Sequence, residues 1–217
     1  VELVDAEPQI KKSVRGRRIA YVAQSAAASF NPAHRLVKQY AEAPVQHGLM
    51  PFHEAEEKAV DIYRRLLLPD PERIGYRYPH QVSGGQLQRA MVAMAMACTP
   101  DIIIFDEPTT ALDVTTQAQI LDLLREIQEE KGLSIILITH DMGVVAEIAD
   151  RVIVMRNGRA IESAPVRKIF SNAESAYTRE LLAAVPRLGS APPPPDESRE
   201  AVNVLEVDEL SVRFDVT

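Results

Sequence analysis

Two short apolar runs rich in isoleucine set the frame of the chain: 102–105 within DIIIFDE, and 135–138 within LSIILITH. Each is short and bounded by polar or turn residues, which predicts strands buried on both faces. Between them, residues 114–131 place Ile120, Leu123, Leu124 and Ile127 on one helical face, and Gly132 follows as a C′ glycine. Strand, helix and strand at this spacing predict a βαβ unit of a parallel sheet. An earlier apolar run, RIAYVA at 18–23, predicts a further strand ending at Gln24, followed by the small-residue loop SAAASFNP. Residues 35–68 read as helical with breaks, and Pro51 with the acids after it suits a helix start. The turn-rich PDPERIGYRYPHQ leads to a helix running from Ser83 to about Cys98.

Beyond the βαβ unit, MGVVAEIADR predicts another helix, and RVIVMRNGRAIESA a hairpin with Asn157-Gly158 as a type I′ turn. Helices are expected near 165–171 and 175–185. The four prolines of SAPPPPDESREA make 189–202 a stiff, solvated linker. Residues 203–217 alternate again like the opening strand of a second domain. The expected architecture is α/β, a mostly parallel sheet with an inserted helical part.

Composition narrows the class. Of 217 residues, 46% are hydrophobic and 25% charged, enough for a sizeable core. A net charge of −7 disfavours a broad nucleic-acid surface. A single cysteine, Cys98, excludes an internal disulfide; its small-residue helical surroundings suggest a buried packing role. The acidic N-terminus has no apolar core of a signal peptide, and no segment is apolar for long enough to span a bilayer.

The stretch VSGGQLQRA, residues 82–90, puts two glycines at the start of a strong helix. Ser83 is an N-cap, and Gln86 three residues on completes a capping box. Gly84 and Gly85 allow close backbone approach, and a helix tip with free N–H groups attracts anions, phosphate above all. Asp106 and Glu107 end a predicted buried strand, at the edge of a parallel sheet where ligands bind. One of these carboxylates can hold Mg²⁺ while the other orients or deprotonates a water. His140, ending the next strand, can donate to a terminal phosphate, with Asp141 better suited to capping the helix that follows. Gln24 can reach a metal ion or its water through its amide oxygen.

Taken in order, these elements resemble the nucleotide-binding domain of ABC transporters. YVAQ resembles its Q-loop, VSGGQLQRA its signature, IIIFDEP its Walker B strand, TALD its D-loop and ITHD its switch histidine. SFNPAHRL and YTRELLAAVPRL are similar to elements of the dipeptide and oligopeptide branch. The resemblance covers residues 1–188 and implies a P-loop NTPase-type, RecA-like core with a helical subdomain over about 30–98. It implies ATP and Mg²⁺ as cofactors, with Asp106 and Gln24 at the metal, Glu107 on the attacking water and His140 on the γ-phosphate. Ser83, Gly84, Gly85, Gln86 and Asp113, together with Gln24, would make the nucleotide contacts. The implied partners are a second ATPase domain, fused in the same chain, transmembrane permease subunits and an external substrate-binding protein, but no nucleic acid. The implied location is peripheral, on the cytoplasmic face of the bacterial inner membrane.

One departure is large. No G-x-x-x-x-G-K-[ST] run occurs in the 217 residues, nor any Gly-Lys pair. With no initiator methionine, the chain is expected to be an excerpt truncated at its N-terminus, binding ATP poorly by itself. Two other readings follow from other classes. A non-transport ABC ATPase would carry a long coiled coil or zinc module between Gln24 and Ser83, and neither heptads nor a cysteine cluster is found there. A truncated, non-catalytic interaction module fits the missing phosphate loop but not the intact Glu107 and His140.

Overall fold

The computed structural model describes residues 3–108 and 114–185, together with 208, 209 and 211. Asp113, the proline-rich linker and nearly all of 203–217 lie outside them. The described chain opens with α1 (Pro8–Val14), β1 (Ile19–Val22) and the single-turn α2 (Ala26–Ser29). Next come α3 (Leu36–Gln46), α4 (Phe52–Arg65), the short α5 (Pro71–Ile74) and α6 (Gly84–Met96). The predicted βαβ unit follows as β2 (Ile102–Asp106), α7 (Val114–Lys131) and β3 (Ser134–Ile138). The remainder is α8 (Met142–Ile148), β4 (Arg151–Arg156), β5 (Arg159–Pro165), α9 (Val166–Asn172) and α10 (Ala176–Ala184).

β1, β2 and β3 form a parallel sheet in that spatial order. The register pairs Ala20 with Ile103 and Val22 with Phe105, and carries Ile103 on to Ile135 and Phe105 on to Leu137. These side chains share one face and join one apolar cluster with Leu87 and Met91 of α6 and Ile120 and Leu124 of α7. Burial of both faces, expected from the continuous apolar runs, does not hold among the described residues. On the opposite face Tyr21, Ile136 and Ile138 are 56%, 50% and 49% exposed. The physical reason is that α6 and α7 pack into the same cluster as the first face, and β3 is an outer strand of the three.

The helices between β1 and β2 hold together through specific contacts. α3 begins with backbone amides that would otherwise lack partners; those of Leu36 and Val37 donate to the carbonyls of Arg77 and Gly75 at 3.0 and 2.8 Å. A Cβ at Gly75 would lie 3.0 Å from Val37 Cβ and 3.2 Å from Tyr63 Cε2, so the approach needs glycine. Tyr40 of α3 meets Tyr63 of α4 edge to face, with ring centroids 6.0 Å apart. Burial pushes the Tyr40 phenol up to about 12. Arg89 of α6 donates to the carbonyls of Leu66 and Leu67 at 3.2 and 2.6 Å. Arg65 ties this helical region to the sheet's βαβ unit, reaching Glu126 and Glu130 of α7 at 3.3 and 3.1 Å.

The segment between Gln24 and α3 is clamped from inside. Gln39 is buried, yet its amide is satisfied three times: it accepts from the Asn31 amide at 2.8 Å and donates to the carbonyls of Asn31 and His34 at 3.1 and 2.9 Å. Asn31 Oδ1 accepts from the Ala33 amide at 2.9 Å, an Asx turn around Pro32. Cys98 is buried, and burial raises its thiol above the usual range, in keeping with a packing role. In the β4–β5 hairpin Asn157 and Gly158 both take positive φ, 51° and 74°, as a type I′ turn requires.

Candidate functional site

Strand β2 delivers two adjacent carboxylates in different directions. Asp106 is its last residue, paired in register with Ile138 of β3, and its Oδ2 accepts a hydrogen bond from the Tyr21 hydroxyl at 2.6 Å. The bond to that carboxylate raises the Tyr21 phenol above its ordinary value, so it stays a donor.

Glu107 leaves the strand through a left-handed turn, with φ of 47°. For a residue with a Cβ this conformation costs about 1–2 kcal/mol. Its amide still donates to the Ile138 carbonyl at 2.9 Å, so the ladder runs one residue past β2. The turn sets the carboxylate, half-buried, between two strand ends. Gln24 Nε2 donates to Oε2 at 2.7 Å, and His140 Nδ1 lies 3.0 Å from Oε1. An ionised carboxylate only accepts, so in this pair the imidazole hydrogen sits on Nδ1.

Local capping explains why His140 is available. Asp141 takes the helix tip, its Oδ1 accepting from the amides of Gly143 and Val144 at 2.8 and 3.3 Å, and Thr139 Oγ1 accepts from the Asp141 amide at 3.0 Å. The histidine between them is left largely exposed at the sheet edge. The capping role expected of Asp141 is the one it takes.

The second constellation sits at the start of α6. Ser83 Oγ accepts from the Gln86 amide at 3.3 Å and Gln86 Oε1 accepts from the Ser83 amide at 3.1 Å, completing the expected capping box. Ser83 and Gly84 are exposed. A Cβ at Gly84 would meet no atom within 4 Å, so packing inside the chain does not account for its missing side chain. Gly85 offers its carbonyl to Arg89 Nε at 3.4 Å, on the side away from the tip.

The donors are hard oxygens, suited to Mg²⁺, which keeps several waters and takes one or two carboxylates plus substrate phosphate rather than an all-protein cage. Among the described residues there is no group of three or more His, Cys, Asp or Glu that could hold a metal ion by itself.

Residues 2–110, which carry the first strand, the glycine-rich helix tip and the acid pair, match the family model for the ABC transporter. The chain belongs to the ABC transporter family. A Brucella melitensis protein, provisionally named a peptide import ATP-binding protein, is 46% identical over 191 residues, which is 88% of this chain and 56% of the relative. The glutathione import ATP-binding protein GsiA of Escherichia coli is 47% identical over 190 residues, 88% of this chain and 30% of GsiA. The chain thus spans about half the length, or less, of the curated relatives it matches. Among solved structures, the dimeric ATP-binding cassette MJ0796 in a post-hydrolysis state with ADP and phosphate superposes with a TM-score of 0.69 at 28% identity, over 77% of this chain and 71% of that one. These relatives establish the α/β, P-loop NTPase cassette fold for this ABC family member.

Of the expected site residues, Gln24 and His140 are both brought into contact with Glu107, which directly follows Asp106 at the end of the same strand. Ser83, Gly84, Gly85 and Gln86 form a separate tip, and Asp113 lies outside the described residues. Tyr21 was not foreseen. Its signal was present only as an aromatic two residues after Ile19 in a strand whose register with the acid strand cannot be read from sequence.

Proposed function

We propose that this chain is the catalytic part of an ATP-hydrolysing subunit that drives peptide import through an ABC transporter. The observation that carries the reading is Glu107, held in a left-handed turn between Gln24 and His140 at the carboxyl edge of a parallel sheet. A carboxylate so oriented can take the proton of an attacking water as its oxygen bonds to the γ-phosphorus. The bond from the γ-phosphorus to the β–γ bridging oxygen breaks, and ADP carries away the negative charge. Such a transfer needs positioning and charge stabilisation rather than covalent protein chemistry.

Asp106, with the Gln24 carbonyl oxygen, would hold Mg²⁺, which would supply charge neutralisation for the phosphoryl transfer. His140 would donate to the γ-phosphate. Ser83 and the Gly84, Gly85 and Gln86 amides would grip a γ-phosphate bound by a second ATPase domain, with Asp113 at the same junction. The open space around Gly84 supports nucleotide sharing between two domains. The second copy would be fused in the same polypeptide, after a linker at 189–202.

Coupling runs through the helices between Gln24 and Ser83, the helical subdomain at 30–98. A groove of about 900 Å³, with apolar Val37, Val45 and Phe52 and charged Arg35, Lys38 and Glu42 in its lining, offers a mixed surface for a segment of a permease subunit. With an external binding protein delivering peptide, the subunit would sit on the cytoplasmic face of the bacterial inner membrane. No helix of the described residues is long and apolar enough to cross it.

The test is Glu107→Gln in the full-length polypeptide. Turnover falls by about 10²–10⁴-fold while ATP binding is retained. Undiminished steady-state hydrolysis removes Glu107 from this role.

A further inference from the structure

We propose that Tyr21 is a positioning residue that orients the Asp106 carboxylate for Mg²⁺, an inference that rests on Asp106 being the metal-holding acid. The register pairs Tyr21 with Ile104, two residues before Asp106, so both side chains rise from the same sheet face. On that face the Tyr21 hydroxyl reaches Asp106 Oδ2 at 2.6 Å, the length of a charge-assisted O–H···O⁻ bond. It is not needed to tie β1 to β2, which share a ladder of four register pairs.

A carboxylate at a strand end can rotate and offer a metal one oxygen or both. A phenol fixed on Oδ2 stops that rotation and directs Oδ1 outward as a single hard ligand. Mg²⁺ demands near-octahedral geometry and keeps most of its waters, so it gains more from one aimed oxygen than from a mobile pair. Partners that orient a metal ligand are commonly worth 10–100-fold in affinity or activity.

The experiment compares Tyr21→Phe, Asp106→Asn and the parent in the full-length polypeptide. Tyr21→Phe deletes one exposed hydroxyl and keeps the ring. It should raise the Mg²⁺ concentration for half-maximal ATP turnover about tenfold, while kcat at saturating Mg²⁺ stays within about twofold. Independently of turnover, Mn²⁺ binding with a non-hydrolysable ATP analogue, read by electron paramagnetic resonance, should weaken by the same factor. A role confined to holding β1 on β2 would lower the melting temperature and leave both metal readouts unmoved, which overturns the proposal. If Asp106→Asn itself leaves Mn²⁺ affinity intact, the assignment of the metal to Asp106 fails, and the Tyr21 proposal with it. If Asp106→Asn abolishes Mn²⁺ binding and Tyr21→Phe changes nothing, only the Tyr21 proposal falls.

Discussion

Gln24 and His140 approach Glu107 from the carboxyl ends of the two strands that flank β2, one on each carboxylate oxygen, at 2.7 and 3.0 Å. One arrives from the end of β1 and the other from just beyond β3, so the central strand's acid is gripped by both of its neighbours. This grip uses three segments far apart in the chain, and it makes the orientation of Glu107 depend on the whole sheet.

If the three side chains act as a unit, their contributions to turnover will not add. Gln24→Ala and His140→Ala should each lower kcat by about 10²-fold or more, with the ATP concentration for half-saturation changed much less. The double variant should fall less than the product of the two single losses. Steady-state kinetics on the four proteins decide this, and strict multiplication of the losses would show independent roles.

Ser83 separates a stability role from an assembly role. Ser83→Ala removes the acceptor for the Gln86 amide and should cost about 1 kcal/mol, seen as a lower urea midpoint. Ser83→Arg places a long cation over the open tip. It should block ATP-driven association of two cassettes, measured by size exclusion in the Glu107→Gln background, while nucleotide binding to each cassette persists. Normal association of the arginine variant would exclude the tip from the shared site.

Gln39 predicts a link between stability and coupling. Gln39→Leu leaves the Asn31 amide and the carbonyls of Asn31 and His34 without their buried partner. The expected loss is about 2–3 kcal/mol in urea unfolding. Because the freed loop joins Gln24 to α3, permease-stimulated hydrolysis should fall further than basal hydrolysis, read with and without the membrane partner. Equal losses in both would confine Gln39 to stability.

Much of this was legible in local pattern. The apolar runs placed β2 and β3, the 3.6-residue spacing placed α7, and Ser83 with Gln86 announced the capping box; all three depend on neighbours within a few positions. Asn157-Gly158 named its own turn because few residue pairs take two positive φ angles cheaply. The expectation of doubly buried strands failed for a related reason. A continuous apolar run reports what a strand tolerates on each face, not which helices cover it, and Ile136 and Ile138 remain half exposed.

The amino-acid sequence by itself determined the longer elements, the Ser83 capping box and the family, along with the residues at strand ends where a parallel sheet gathers ligands; the short helices α1, α2 and α5 were not read from it. Only the tertiary structure decided that Glu107 turns left-handed between Gln24 and His140, that Tyr21 holds Asp106 across 85 positions, and that Gln39 clamps the Asn31 loop. The physical reason is range. Caps, turns and periodicity are set by bonds a few residues long, whereas strand register and the close approach of distant side chains come from packing the whole chain at once.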